Sequence, residues 1–377
     1  MTNPIRLSKC SLSRAEEDAV IQVLRSEYLG MGKTVHNFEN LLSEYLGNPT
    51  VCVSSGTAAL HLALDAIGLK QGDEVIVPTI TYLASFQAIT ATGATPIPCD
   101  IDALDLNLDI FDFKSRITPK TKCVMPVFYA GDCSKAEEIY QIALEHNIRV
   151  VADAAHAFGS YSNSHRLIGS FGDITCFSFD GIKNITCGEG GCVTSSDTSI
   201  LEHISSSRLL GVIDDSKNRY RNQRSWDFQV NSQGWRYHMS DIMAAIGIEQ
   251  LKRFPELAAK RQLLSSLYDS CLSNIPLIKP FSRNYSLTVP HIYPVTLHQS
   301  IDRDKLRSFL LDNGIQTGIH YYPNHLLQFF KSTNSVKLPI AESLHYRLLS
   351  LPLHPDLTQE DIHYITDLIH RFLAFSK

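Results

Sequence analysis

Short apolar runs alternate with amphipathic stretches between about residues 50 and 200 of this chain. Each run has the length of a strand, whereas the stretch 135–145 carries Ile139, Ile142 and Ala143 at helical spacing. The predicted strands are 72–78, 123–127, 149–153 and 174–179. Their alternation with helices predicts an α/β domain whose sheet is mostly parallel.

The two ends of the chain follow other patterns. Ser13 and Glu16 form a capping box, which predicts the start of a helix. A helical stretch rich in alanine and isoleucine, 240–254, leads into Pro255, where we expect it to end. Helices at 255–271, at 303–313 and from 359 onward, with a strand at 292–297, then follow. We predict a large α/β domain over residues 1–250 and a small α+β domain over residues 251–377.

Composition narrows the class of protein. With 377 residues and a formal net charge of −5, the chain has no overall basic footprint for nucleic acid or an acidic membrane surface. No apolar stretch resembles a signal peptide or is long enough to cross a bilayer, so we expect a cytoplasmic protein. The nine cysteines include no Cys-x-x-Cys pair, and several lie in apolar runs, so we expect buried thiols and no metal site.

A glycine-rich segment, 177–191, joins two apolar runs and contains one lysine, Lys183. An amine is a nucleophile only when unprotonated, so catalytic lysines lie where burial or neighbouring charge lowers their pKa. Upstream, Asp153 ends the predicted strand 149–153. An anion for a ring nitrogen and an amine for an aldehyde are the groups that pyridoxal phosphate requires. A lone lysine is more often a surface residue, so the prediction for Lys183 depends on its neighbours.

Residues 53–60 pass from an apolar run into a helix through serine, glycine and threonine. Small residues at such a junction let the first-turn amides face an anion, which the helix dipole favours. An ordinary helix cap is the alternative interpretation. Beside a lysine that binds an aldehyde, a cofactor phosphate is the better explanation, and the hydroxyl of Ser178 is a further donor to it.

Two ring-bearing residues complete the candidate site. Tyr82 follows Pro78 at the carboxyl end of a predicted strand, where its ring either stacks on a pyridine or simply packs. His156 follows Asp153 across two alanines, which leave room for a flat ring whose hydroxyl the histidine would contact. A structural histidine is the alternative, so this prediction depends on Asp153.

Through these and other motifs the chain resembles the sugar aminotransferases of the DegT/DnrJ/StrS family, a branch of the fold-type-I pyridoxal phosphate enzymes. The motifs are 38–39, 54–60, 72–76, 153–156, 177–183, 188–191, 239–247, 320–323 and 349–353. They run nearly end to end, in the family's order. The resemblance implies a large domain with a mostly parallel mixed sheet flanked by helices, and a small C-terminal α+β domain.

The resemblance also implies roles for individual residues. Lys183 would bond to the cofactor and later move a proton, and Asp153 would keep the ring nitrogen protonated. The other cofactor contacts that it implies are Tyr82 on the ring, His156 at the ring hydroxyl, and Gly56, Thr57 and Ser178 at the phosphate. Some family members carry histidine at the lysine position and perform dehydration, so Lys183 favours amino transfer.

The implied reaction moves an amino group from L-glutamate to a nucleoside-diphosphate keto-sugar, with a 4-keto-6-deoxy sugar expected. Its product would serve cell-surface polysaccharides, such as O-antigen, or secondary-metabolite glycans. The implied assembly is a homodimer in which each active site is completed by the neighbouring subunit. The choice among UDP, GDP and dTDP stays open, as does amination at C3 or C4.

Three stretches leave alternatives open. Arg236 stands where many members have asparagine, and we favour a contact to the cofactor phosphate across the dimer over one to the substrate diphosphate. The role of His238 is open. The basic segment 217–224 is either solvated or, through Arg219, a grip on the substrate diphosphate. His320 and Tyr321 would lie near the substrate sugar, or form a packed turn before Pro323.

Two rival functions are compatible with parts of the sequence. A lyase or desulfurase on the same fold would use a mobile cysteine loop, and Cys187 and Cys192 lie near the lysine. A non-catalytic regulatory protein could keep the fold without the chemistry. The joint presence of Lys183, Asp153 and the phosphate residues speaks against the second.

Overall fold

The computed structural model describes residues 4–224, 226–331 and 336–375. Its strands are β1 Thr50–Val53, β2 Glu74–Pro78, β3 Thr95–Cys99, β4 Thr121–Val124, β5 Arg149–Asp153, β6 Ile174–Ser178, β7 Gly191–Ser195, β8 Ile278–Pro280, β9 Tyr293–Leu297 and β10 Leu348–Leu351. Its helices are α1 Arg14–Arg25, α2 Lys33–Leu46, α3 Gly56–Ala66, α4 Leu83–Ala91, α5 Ile110–Ser115, α6 Ala136–Glu145, α7 Thr198–Ser207, α8 Asp215–Arg219, α9 Asp241–Leu272, α10 Arg303–Asp312, α11 Gln328–Lys331, α12 Pro339–Leu344 and α13 Gln359–Phe375. The four strands and the capping box predicted from the sequence are all present.

The larger sheet has seven strands in the order β1-β7-β6-β5-β4-β2-β3. Strand β7 pairs antiparallel with both of its neighbours, and the other pairs of this sheet are parallel. Its central strands are buried along almost their whole length, which explains why they appear in the sequence as continuous apolar runs. The predicted α/β class is confirmed, and the carboxyl ends of β2, β5 and β6 meet at one edge of the sheet.

Helix α9 corrects one expectation, because it runs through Pro255 without ending. The proline removes one backbone donor, a loss of about one intrahelical hydrogen bond. Packing on both sides compensates: the first half lies against α1 and α2, and Phe254 packs edge-on against Tyr45 and Phe158. The predicted domain boundary at 250/251 falls inside this helix and stays a prediction.

The C-terminal part of the chain forms a three-stranded antiparallel sheet in the order β10-β9-β8. An apolar core between this sheet, α10 and α13 lies apart from the core of the larger sheet. The N-terminal segment joins this part, since Ile5 bridges to Ile315 and the amide of Leu353 donates to the carbonyl of Leu7. Two separate segments of this part, the one before β9 and the one after α10, bring His291 and Tyr321 to the carboxyl edge of the larger sheet.

Seven of the nine cysteines are buried and the other two are partly exposed, all as free thiols. Among the described residues, no helix combines the length and the apolar character needed to cross a membrane. No group of three or more histidine, cysteine or acidic side chains in the described part of the chain is arranged to hold a metal ion.

Candidate active site

A cavity of about 410 Å³ opens at the carboxyl edge of the larger sheet. Nine of the eleven residues predicted for the site line it: Gly56, Thr57, Tyr82, Asp153, His156, Ser178, Lys183, His320 and Tyr321. A larger cavity, of about 690 Å³, lies beside β8 and contains none of the eleven. The smaller cavity is the better candidate, because it gathers ionisable groups whose pKa values are displaced.

Asp153 forms the floor of this cavity at the end of β5. Its carboxylate is buried and accepts two hydrogen bonds, from the Ser85 hydroxyl at 2.8 Å and from the Ala155 amide at 3.2 Å. Burial raises the pKa of Asp153 above its ordinary value, while these hydrogen bonds and the charge of Lys183 act in the opposite direction. A buried carboxylate held in this way is suited to a protonated ring nitrogen, whose charge would favour the ionised form.

Lys183 lies on the turn that follows β6. The turn is fixed by its own backbone, because the Lys183 amide donates to the Asp180 carbonyl at 3.0 Å. Burial lowers the pKa of the Lys183 amine to about 8, against the opposing charges of Asp153 and Asp180. About a tenth of the amine is therefore unprotonated at pH 7, far more than for an ordinary lysine, and only this form acts as a nucleophile or a base.

The first turn of α3 faces the cavity opposite Lys183. Ser55 caps this helix by accepting from the Ala58 amide at 3.1 Å. A Cβ on Gly56 would lie 2.7 Å from the Cβ of Ser178, so glycine is needed for the helix to approach the end of β6. Within the described residues, the amides of Gly56 and Thr57 have no acceptor in the protein. Two free amides at a helix N-terminus, with the Ser178 hydroxyl beside them, suit a phosphate group.

The roof of the cavity is made of rings. The Tyr321 hydroxyl is hydrogen-bonded to Nε2 of His156 at 2.9 Å, and the Tyr321 ring lies 5.9 Å from that of Tyr82. Tyr82 is 62 % exposed, so its face is available to a flat ligand. His320 binds the Ser350 hydroxyl through Nδ1 at 2.8 Å, and its carbonyl accepts from the Tyr129 hydroxyl. Burial lowers the pKa of His156 and of His320, the latter to about 4, so both rings are neutral.

Ser85 and His291 also belong to the site, and sequence reasoning missed both. Ser85 lies in the first turn of α4 and orients Asp153, with the Thr81 hydroxyl behind it at 2.8 Å. His291 lies before β9 and places its Nε2 3.5 Å from the Lys183 amine. Ser85 is only three positions from Tyr82 in the sequence, and this nearness could have indicated that it belongs to the site. Nothing near His291 in the sequence pointed to the cavity.

Arg219 and Arg236 lie in a second cavity, of about 180 Å³, which we call the basic cavity. Arg219 pairs with Asp215 at 2.6 Å, and His238 shares the cavity with both arginines. Burial and the two guanidinium groups lower the pKa of His238 to about 4. Within one chain, the arginines are therefore not brought to the cavity of Lys183.

The backbone segments beside the two cavities are nevertheless hydrogen-bonded to each other. The Ser54 amide, just before α3, donates to the Tyr237 carbonyl at 2.6 Å, and Val53 bridges to His238. The segment that carries Arg236 thus lies against the start of the helix whose first turn faces Lys183.

Comparison with known proteins also points to an aminotransferase, and the matches cover nearly the whole chain. Residues 11–370 match the model of the DegT/DnrJ/EryC1/StrS aminotransferase family. GDP-perosamine synthase of Escherichia coli O157:H7 is 35% identical over 370 residues, which is 97% of each chain. Spr1654 of Streptococcus pneumoniae, solved in a PLP form, superposes with a TM-score of 0.91 at 30% identity over 99% of this chain and 100% of the other. PseC of Helicobacter pylori, an aminotransferase of pseudoaminic acid biosynthesis, superposes with a TM-score of 0.90 at 28% identity. The superposition covers 98% of this chain and 99% of the other.

These matches, the fold and the cavity of Lys183 lead to one assignment. The chain belongs to the DegT/DnrJ/EryC1/StrS aminotransferase family, whose enzymes use pyridoxal phosphate.

Proposed function

We propose that the protein transfers an amino group from L-glutamate to a keto-sugar carried on a nucleoside diphosphate. A 4-keto-6-deoxy sugar is the expected acceptor, and the amino sugar formed would enter a cell-surface polysaccharide such as O-antigen, or a secondary-metabolite glycan. One observation carries the proposal: an amine with a pKa of about 8 shares a cavity with a buried carboxylate and two free helix amides.

The residues of this cavity fit the cofactor at each of its functional groups. Asp153 would hold the ring nitrogen, and the amides of Gly56 and Thr57 with the Ser178 hydroxyl would hold the phosphate. Tyr82 would cover one face of the ring, and His156 would contact its hydroxyl. The cofactor, when bound, supplies the electron-accepting ring that stabilises negative charge at the carbon losing its proton.

Lys183 would perform the proton transfer of the reaction. Its Nζ takes the proton from the α carbon of the amino donor, and in the second half-reaction returns one to the acceptor sugar. A base positioned in this way contributes about 10²- to 10⁴-fold to the rate. The lowered pKa of Lys183, about 8, matches this task because the amine exchanges protons readily near neutral pH.

His320 and Tyr321 line the cavity, and we expect the sugar ring to bind beside them. The imidazole of His320 and the hydroxyl of Tyr321 are suited to hydrogen bonds with sugar hydroxyls. The neutral state of His320 supports this role, because a neutral ring offers one donor and one acceptor.

A homodimer would bring the basic cavity to a neighbouring active site. Around it, Trp226 is 86 % exposed and Phe228 is 55 % exposed, which supports an apolar surface that a second copy covers. Arg236 would then reach the cofactor phosphate, or else the diphosphate of the substrate, and Arg219 would bind that diphosphate. His238 shares this cavity with both arginines, and its own role stays open.

The rival functions draw less support. A desulfurase needs a reactive, mobile thiolate, whereas Cys187 and Cys192 are buried and burial raises the pKa of both thiols. A non-catalytic protein would not need a lysine whose pKa is lowered beside a buried carboxylate. A purified protein that stays colourless when pyridoxal phosphate is added would revive the non-catalytic alternative.

The test is an assay of the purified protein with L-glutamate and a panel of UDP-, GDP- and dTDP-keto-sugars. GDP-keto-sugars come first, because GDP-perosamine synthase is 35% identical. We expect one member of the panel to be aminated, and glutamate alone to convert the bound cofactor to its amine form with loss of visible absorbance. Sulfide release from cysteine without any amino transfer would overturn the proposal in favour of the desulfurase.

A further inference from the structure

Three histidines line the cavity together with Lys183: His156 and His291, which are buried, and His320, which is partly buried. Burial lowers the pKa of each of them, so all three rings are neutral. The ring of His291 packs on that of His156 with their centroids 4.5 Å apart, and its Nε2 lies 3.5 Å from the Lys183 amine. Such hydrogen bonds are often long when no ligand is bound, and they shorten in the working complex.

The three histidines differ in how freely they can exchange their ring protons. The Ala130 amide donates to Nδ1 of His156 at 3.3 Å, so His156 carries its proton on Nε2 and donates it to Tyr321. Nδ1 of His320 is held by the Ser350 hydroxyl. Nδ1 of His291 is buried and has no hydrogen-bond partner in the described part of the chain. Of these three rings, His291 is thus the one whose Nδ1 has no partner among the described residues, so no contact at Nδ1 fixes which of its nitrogens carries the proton.

The backbone holds His291 at this position. The buried guanidinium of Arg261 donates to the His291 carbonyl at 3.1 Å. Asn184, next to Lys183 in the chain, donates to the Val289 carbonyl at 3.2 Å. The Asn184 contact ties the lysine turn to the segment before β9, and the Arg261 contact ties the same segment to α9, so the fold holds the imidazole close to the amine.

We propose that His291 is a positioning residue that holds the Lys183 amine whenever that amine is not bonded to the cofactor. With Nε2 protonated, the imidazole donates to the neutral amine; with Nε2 unprotonated, it accepts from the ammonium. One side chain thus holds the lysine in both protonation states that proton transfer requires. The proposal rests on the proposed function only in taking Lys183 as the lysine that bonds to the cofactor.

Binding of the two cofactor forms tests this role without any turnover. The amine of Lys183 is bonded to pyridoxal phosphate but is free beside pyridoxamine phosphate, so only the second complex needs the imidazole. We expect His291→Asn to raise the ratio of the Kd for pyridoxamine phosphate to the Kd for pyridoxal phosphate about tenfold, the effect of one buried polar group losing its partner. His291→Gln, whose amide reaches the position of Nε2, should stay within about threefold of the parent ratio.

Two further variants make the binding result decisive. His345→Asn replaces a buried histidine that does not line the cavity, and it should leave the ratio unchanged. If thermal unfolding shows that His291→Asn does not fold, His291→Leu, of similar volume and without a hydrogen-bonding atom, takes its place. An equal loss of affinity for both cofactor forms, or an unchanged ratio, would overturn the proposal.

The half-reaction with α-deuterated glutamate gives a second readout. If His291 positions the base, its loss slows the proton transfer, and the isotope effect on the loss of visible absorbance should increase in His291→Asn. An isotope effect equal to that of the parent would count against the role. A parent protein that no amino donor converts would defeat the proposed function, while the binding ratio would still test His291.

Discussion

The charged groups in the cavity of Lys183 and those in the basic cavity differ in their surroundings and in the contacts that hold them. In the first, Lys183 and Asp153 are displaced in pKa by burial and are fixed by contacts within one chain. In the second, Arg219 and Arg236 share a cavity with apolar side chains of which three are exposed: Leu210, Trp226 and Phe228. One copy of the chain therefore brings together Lys183, Asp153 and the first turn of α3, whereas Arg219 and Arg236 are not brought to that cavity within one chain.

The largest effect should come from removing the amine in the first cavity. Lys183→Ala should lower turnover by about 10³-fold or more, because no other base replaces the amine, while pyridoxamine phosphate still binds. Steady-state rates and equilibrium dialysis measure the two quantities. Lys260→Ala, an exposed lysine paired with Glu256, is the matched control and should keep the parent rate. Normal turnover in Lys183→Ala would remove the basis of the assignment.

Asp153→Asn should lower the rate of the glutamate half-reaction by about 10²-fold, because a neutral amide stabilises a protonated ring nitrogen poorly. Stopped-flow absorbance measures this rate. Asp173→Asn is the control, since Asp173 pairs with Arg149 at the opposite end of β5 and lies outside the cavity. Equal losses in the two variants would show that Asp153 acts through stability alone.

Arg236→Ala tests whether the basic cavity serves a neighbouring active site. Loss of a charged hydrogen bond of about 2 kcal/mol should weaken pyridoxal phosphate binding about thirtyfold. Arg221→Ala, at an exposed arginine of the basic segment 217–224, should have little effect. A raised KM for the nucleotide sugar with unchanged cofactor affinity would assign Arg236 to the substrate diphosphate. If neither the KM nor the cofactor affinity changes, the basic cavity does not serve a neighbouring active site.

The smallest effect is a dependence on pH. Because burial lowers the pKa of Lys183 to about 8, its unprotonated fraction rises between pH 7 and pH 9 and then levels off. The rate at which cofactor-free protein bonds to pyridoxal phosphate should therefore increase about tenfold over that interval. A rate that keeps increasing above pH 10 would indicate an ordinary lysine pKa and would contradict the burial argument.

The sequence predicted the first cavity far better than the second. Asp153, Ser178 and Tyr82 follow apolar runs, and the ends of parallel strands meet at one edge of a sheet, so their proximity could be inferred. Family membership and the cofactor are confirmed by the comparisons with known proteins, and the α/β class by the seven-stranded sheet.

What could not be predicted has physical reasons. Pro255 is an expected helix end, but tertiary packing around Phe254 outweighs the loss of one hydrogen bond. His291 reaches Lys183 from the small sheet, over 108 positions of the chain, and no local pattern reports such a contact. The basic segment 217–224 does not follow a predicted strand, so its position relative to the sheet could not be inferred. The sequence therefore could not predict which cavity its arginines line.

The central claim is that Lys183 is the lysine that bonds to pyridoxal phosphate. Reduction of the loaded protein with borohydride makes that bond permanent, and peptide mapping by mass spectrometry then locates it. We expect the added phosphopyridoxyl group on the peptide that contains Lys183, and no label there in Lys183→Ala. A label on a different lysine, with Lys183 unmodified, would contradict the account.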